Sequence, residues 1–563
     1  MVNLESKRLN SILTLLVGVM GIVLINQLMS HVIYRIDLTE EKRYTISEAS
    51  RNLLENLEDV VYVEVYLEGE LPAGVKRLQK SVRETLEEFK VYAGPNLQFR
   101  FIDPSTAKSQ KARNEYYETL INKGIQATNL YDNVDGKQTQ VLIFPGALIS
   151  YGDKEAGITF LKGNKASTPQ EQLNQSVEGV EFELANTIKM LTQPRSPKVA
   201  ILHGHDELDT MHNAGVVSAL MTKFQVFHVN LSTRPSLLGF DAIVLAQPKT
   251  AFSETDKYKI DQFVMHGGKA VFLVDALYAN MDSAGSENNL ALPYETNLDD
   301  LFFKYGFRIN RDLVLDMNAG PYPVVVGNVG ENPQVRLLPW PFFPLVNDFT
   351  KHPAVRNLDA VITRFVSTID TTKAEGIVKI PLMKTSQYSK VMHSPVRVSI
   401  NELKKDMKPD FFDSGPQTIA WIFEGKFTSL YKNRFLPEGA DSTGFLPDGV
   451  ATKMLIVSDG DIAANDVNPK TGQPFELGFD PFTETKYANA DFLVNALTYL
   501  IEEDGIIQTR AREIKIRPLD AVKVKNERVT WQIVNLMLPI AVIIVFGLIK
   551  FFIRKRRYTR FGS

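Results

Sequence analysis

Two apolar segments stand at opposite ends of this chain of 563 residues, with a polar body between them. The first runs from Ser11 to Met29 and the second from Trp531 to Phe552. Each comes close to the roughly 20 residues that an α-helix needs to cross a hydrocarbon core of about 30 Å. The flanks orient them. Lys7 and Arg8 precede the first segment, and Arg554, Lys555, Arg556 and Arg557 crowd the end of the second. Basic residues beside a span stay on the cytoplasmic side. The expectation is two membrane helices set in lipid by these anchors, both termini inside, and everything between exported as one large loop.

A cleaved leader is the alternative for the first segment. Its apolar core exceeds the usual 7 to 15 residues, and no small-x-small site follows before Tyr34-Arg35-Ile36-Asp37. A retained anchor is therefore expected. Pro539 is tolerable inside a membrane helix. Two helices are too few to enclose a pore, so any transport role needs a partner that supplies one.

The body has the composition of folded protein, with 44% hydrophobic and 23% charged residues over the whole chain. A net charge of −3 gives no reason to expect nucleic acid as a partner. The absence of cysteine excludes disulfides, Cys-type zinc sites and a cysteine nucleophile. It leaves the compartment open.

Along the body, Ser47 reads as an N-cap for a helix reaching Leu57. Val60 to Leu67 alternates as a strand, Leu78, Val82, Leu86 and Phe89 share one helical face, and Leu97 to Ile102 is a second strand. This βαβ unit reads as the start of a thioredoxin-like α/β domain without the CxxC. Val141–Phe144 and a helix over Val180–Leu191 complete it.

A linker, Thr192 to Pro197, leads to a second α/β region. Buried strands at Val199–Leu202, Phe224–Val229, Ala242–Leu245 and Ala270–Asp275, with a helix capped by Ser253, have the rhythm of an open, mostly parallel sheet. Pro- and aromatic-rich text such as Leu338-Pro339-Trp340-Pro341 marks a β-rich insertion. Lys453–Asp459 and a helix over Asn489–Leu500 then rejoin the sheet.

The expected fold is α/β, an exported multi-domain body between one N-terminal and one C-terminal transmembrane helix. By segment, the chain reads as a cytoplasmic N-terminus (1–10), a span (11–33) and a stem with the thioredoxin-like domain (34–192). The open-sheet domain follows in two parts (197–319 and 450–509) around the insertion (320–449). A return stem (510–530), the second span (531–552) and a basic tail (553–563) close it.

Two clusters carry candidate chemistry. His203, His205 and Glu207 fall just past the first strand of the open sheet, where such sheets bind ligands. Imidazoles and carboxylates so close could ligate a metal or move protons. The bland alternative is an exposed strand-to-helix turn, with Gly204 for the tight geometry and the acids at a helix N-terminus. Asp459 and Asp461 end the last strand and could hold a cation through paired carboxylates. Both clusters should lie at strand C-terminal ends of one sheet. They stand as ligand-binding candidates, with no metal, cofactor or catalytic residue expected. No G-x-S-x-G elbow occurs, and Gly136-Lys137, Gly268-Lys269 and Gly425-Lys426 all miss the phosphate-loop pattern.

The stem YRIDLTEEKRYTISEAS, the phrase LNQSVEGVEFELANTIKML, the GHDE turn, VSDGDIAAN and NADFLVNALTYLIEEDGIIQTRAREIKIRPLD occur in this order. Together they resemble the gliding-motility auxiliary proteins of ABC transporters (GldG-like) of the Bacteroidetes, over essentially the whole chain. That resemblance implies a bacterial inner membrane, a periplasmic body, and an ABC permease and separate ATPase as partners. Envelope or motility-machinery proteins are implied as further contacts. It supplies no catalytic residues. One departure stands at Asp206, where relatives read Gly-His-Gly-Glu; a position needing positive φ suits Gly better than Asp.

The reading is a non-catalytic, membrane-anchored auxiliary of an ABC-type complex required for gliding motility. Gly18, Gly21, Asn26 and Gln27 in the first segment, and Gln532, Asn535 and Gly547 in the second, could pack against a permease. The rivals are a periplasmic metal-dependent hydrolase or sugar-active enzyme using the two clusters, and a passive envelope scaffold.

Overall fold

The computed structural model describes residues 7–29, 45–106, 109–134, 137–161, 169–193, 195–284, 289–329, 332–400, 408–511 and 521–559. The stem up to Tyr44, the return stem over 512–520 and the tail beyond Thr559 lie outside the described residues, as do the side chains of Lys7, Arg8 and Arg557.

Helix α1 (Lys7–Met29) carries the first apolar segment. Ser47 then caps α2 (Glu48–Glu55), its hydroxyl accepting the Ser50 N–H at 3.0 Å. The alternating text Val61–Val65 forms β1 and buries Val61, Val63 and Val65. In α3 (Ala73–Ala93) the stripe Leu78, Val82, Leu86 and Phe89 is wholly buried, as its helical spacing requires. Gly94, at φ 58°, ends the helix, and β2 (Leu97–Phe101) returns parallel to β1. The βαβ unit is thus present.

The strand expected at Val141–Phe144 goes elsewhere. After α4 (Gln110–Asn122), β3 (Thr128–Val134) and β4 (Lys137–Ile143) pair with each other as a separate hairpin. The strands that complete the sheet are β5 (Gly146–Tyr151) and β6 (Lys154–Thr159), in the order β2-β1-β5-β6. Gly146 is required there, because a Cβ would sit 2.3 Å from the Ile158 carbonyl oxygen. Helix α5 (Pro169–Thr192) packs Val180, Leu184 and Ile188 into the same core, joined by Ile506 and Ile507.

The second sheet has eight strands. β7 (Lys198–His203), α6 (Ala214–Met221), β8 (Gln225–Asn230), β9 (Ala242–Ala246), α7 (Glu254–Met265) and β10 (Lys269–Leu273) build its parallel half in the order β10-β9-β7-β8. The strand Asp448–Val457 rejoins beside β10, parallel to it. The insertion does not stand apart from this sheet. Its strands Thr418–Thr428, Ile377–Lys384 and Asp348–Phe349 extend the far side antiparallel, so the sheet is mixed. One core lies on the face covered by α6 and the helix Asn489–Ile501, the other on the face covered by α7.

Residues Met1–Arg512 form one compact unit and Glu513–Ser563 another. In the second, the helix Ala521–Thr559 contains Glu527–Arg556, the one helix among the described residues long and apolar enough to cross a membrane. Within α1, the apolar stretch with described side chains, Leu13–Leu24, is shorter. Val17 and Met20 there are 69% and 68% exposed, so none of the described residues covers that helix at these positions.

Candidate functional site at the strand ends

Four adjacent parallel strands end on the same edge of the mixed sheet, and each delivers a polar residue there. β7 ends at His203, β9 runs into Gln247, β10 into Asp275, and the strand Asp448–Val457 into Asp459 and Asp461. This is the crevice where open α/β sheets hold ligands.

Asp275, Asp459 and Asp461 converge, each with a ligand oxygen within 4.8 Å of the others. Gln247 Nε2 bridges two of them, donating to Asp275 Oδ2 and Asp461 Oδ1 at 2.8 Å each. The Gly460 N–H donates to Asp275 Oδ1 at 2.5 Å. Gly460 has to be small, since a Cβ would lie 2.7 Å from the Gln247 Cβ. Asp459 accepts the Arg364 N–H at 2.9 Å and the Ile462 N–H at 3.2 Å. The Arg364 guanidinium itself forks onto Asp466 at 3.0 and 3.3 Å.

Burial dominates the electrostatics. It pushes Asp275 up to about 7, with the Asp461 charge adding to it. Burial raises Asp459 well above the usual carboxylate range, reinforced by Asp275 and Asp461. Asp461 is raised by burial too, against the pull of Arg364 and Gln247. Three carboxylates so close relieve their repulsion by binding a proton or a hard, oxygen-preferring cation. These three residues are the ones that could hold such an ion.

The first cluster takes a different place. His205 and Glu207 are 4% and 9% exposed, so the turn is not the exposed one anticipated. The His205 ring lies flat on Phe252, centroids 3.6 Å apart, with Nε2 3.3 Å from Asp256 and Nδ1 3.6 Å from Glu207. Glu207 also accepts the His205 N–H at 2.7 Å. Burial pushes Glu207 up, but these His205 contacts more than offset it and hold the carboxyl low. Lys259 sits 2.9 Å from Asp256. His203 instead meets His228, Nε2 to Nδ1 at 2.8 Å, and burial with that neighbour lowers its pKa.

None of His203, His205 or Glu207 joins the aspartate group among the described residues. The acids do not cap a helix either, because Asp209 caps its own turn, accepting the Met211 and His212 N–H groups, and α6 begins after Asn213. Asp206 adopts φ 58°, so the backbone at the departure from Gly-His-Gly-Glu does take the left-handed form that glycine would hold without strain.

The structure thus unites Asp459 and Asp461 with a third carboxylate that the reading of sites passed over. Asp275 had a visible signal, a lone acid closing an apolar strand, as does Gln247 after β9. Arg364 had none, since it arrives from the insertion.

A family model described as an ABC-type uncharacterized transport system matches residues 196–496, and a domain of unknown function matches 40–150. An uncharacterized protein of Borreliella burgdorferi is 23% identical, covering 97% of this chain and 99% of that protein. Among solved structures, the mmIFT52 N-terminal domain covers 54% of this chain and 98% of its own at 11% identity and a TM-score of 0.27. A ThuA-like protein from Parabacteroides merdae covers 55% of this chain and 90% of its own, at 11% identity and 0.26. At such scores neither likeness carries an argument. The family match does, because it spans more than half of the chain and takes in Gln247, Asp275, Arg364, Asp459 and Asp461. The chain belongs to the ABC transporter auxiliary family, the ABC-type uncharacterized transport systems.

Proposed function

We propose that this protein is a non-catalytic accessory subunit of an ABC-type transporter, anchored in the bacterial inner membrane with its body in the periplasm. The family match over residues 196–496 carries the reading. The apolar helix over Glu527–Arg556, with basic residues at its end, supports membrane anchoring. A separate permease and ATPase provide the pore and the nucleotide turnover. The domain over residues 34–192 serves as a thioredoxin-like binding module, and the strand-end crevice around Asp459 and Asp461 is the ligand site of the body. The resemblance to GldG-like proteins supports gliding motility as the process, with envelope or motility-machinery proteins as further contacts.

Purification of the full chain from its native membrane tests this. A permease and an ATPase should co-purify in fixed ratio, and the chain alone should turn over no ATP. Absence of both partners, or nucleotide turnover by the isolated chain, would sink the proposal.

One observation favours a second reading, a periplasmic metal-dependent hydrolase: the convergence of Asp275, Asp459 and Asp461. A chelator separates the two. If a divalent cation resides there, its removal lowers the melting temperature and Asp275→Asn abolishes that effect. Without a resident cation, the chelator changes nothing and Asp275→Asn stabilises the fold at neutral pH.

A further inference from the structure

β8 is an outer strand of the eight-stranded sheet, and among the described residues no strand pairs with its far side. Its pairing with β7 tells which backbone groups are free. The Gln225 N–H donates to the Pro197 carbonyl at 2.9 Å and the Leu231 N–H to the His203 carbonyl at 2.8 Å. Alternation along a strand turns Val226, His228 and Asn230 the other way. The Asn230 carbonyl confirms this by accepting from Arg234 at 3.1 Å, away from β7. The N–H groups of Val226, His228 and Asn230 and the carbonyls of Val226 and His228 therefore form an outward row. Edge strands are normally blunted by lysine, proline or a bulge. Gln225–Asn230 contains neither residue, and its register with β7 is unbroken.

The two sides of this row differ. On one, Phe227 is 41% exposed and stands 5.8 Å from Phe240. Lys198 and Arg234 lie over these two rings at 6.0 and 5.6 Å. Neither cation has a carboxylate within ion-pair distance among the described residues. On the other side a groove of about 450 Å³ runs between α6 and β8, lined by Asn213, Val217, Met221 and His228 among others. Met221 is 63% exposed, while Asn213 is 1% exposed and its Oδ1 has no hydrogen-bond partner.

We propose that β8 is a docking edge for an extended, acidic segment of a partner protein. The segment adds a strand to the sheet, its carboxylates meeting Lys198 and Arg234 and its alternate apolar side chains entering the α6 groove. A second copy fits less well. Edge-to-edge pairing would bring both sets of cations together.

The test uses the full-length protein in detergent and three synthetic peptides. One alternates glutamate and valine, one alternates lysine and valine, and one is the glutamate peptide N-methylated at every second residue. Hydrogen exchange at Val226, His228 and Asn230 should slow with the glutamate peptide. The lysine and N-methylated peptides should bind at least about tenfold more weakly. Reversing both cations, Lys198→Glu with Arg234→Glu, should swap the preference. Val226→Pro removes an outward N–H without touching the β7 ladder and should also weaken binding about tenfold. Should that variant fail to fold, the charge-reversed protein decides. Equal binding of the glutamate and lysine peptides, protection confined to other segments, or concentration-dependent protection without peptide would each overturn the proposal.

Discussion

His205 touches Phe252, Glu207 and Asp256, so its removal is felt beyond the turn. His205→Ala takes away the ring stacked on Phe252 and leaves Glu207 and Asp256 facing each other, both buried. A loss of about 2–4 kcal/mol is expected in urea unfolding, the scale for breaking a buried charged network. Asp275 gives a second residue-level expectation. Its folded pKa, about 7, lies above the unfolded value. The folded state therefore holds the proton more tightly, and this contribution is fully present below pH 4 or so and lost as pH rises through about 7. Stability should fall across that window by an amount on the order of a few kcal/mol, and the fall should be smaller in Asp275→Asn. Melting curves from pH 4 to 8 check it.

Helices were the most legible elements. Ser253 sits before Glu254–Met265, and its hydroxyl accepts the Asp256 N–H at 3.1 Å. Ser253→Ala should cost about 1 kcal/mol by denaturant titration, as an N-cap loss does. The stripe Leu78, Val82, Leu86 and Phe89 was equally plain, because a period near four has one way to be buried. Short strands were not. Val141–Phe144 and Ala147–Ser150 are similar apolar runs, and local text does not say which enters the sheet. Pairing decides it, through the close approach of Gly146 to Ile158. The insertion was harder still. Its strands Ile377–Lys384 and Thr418–Thr428 extend the main sheet, and strand partners so distant in sequence leave no local mark.

At the scale of the molecule the sharpest expectation is topological. A reporter fused after Ser563 should be cytoplasmic, and one inserted in the body near Gly415, a turn glycine at φ 67°, should be periplasmic. An opposite placement of the C-terminal reporter would contradict the basic-flank argument.

What the sequence determined by itself was periodic or terminal: the apolar helices, their basic flanks, the caps, the buried strands and the carboxylates that follow them. Each rests on residues within a few turns of one another, so a local pattern suffices. Asp459 and Asp461 were readable in that way, and Asp275 would have been. Their union was not, nor was the burial that lifts Asp275 toward neutrality, nor the anchoring of Asp459 by the Arg364 backbone. Those depend on β10 lying beside the strand Asp448–Val457 and on the insertion folding back over their ends. Only the packed sheet brings such distant carboxylates within 4.8 Å of one another, in surroundings where burial raises their pKa values.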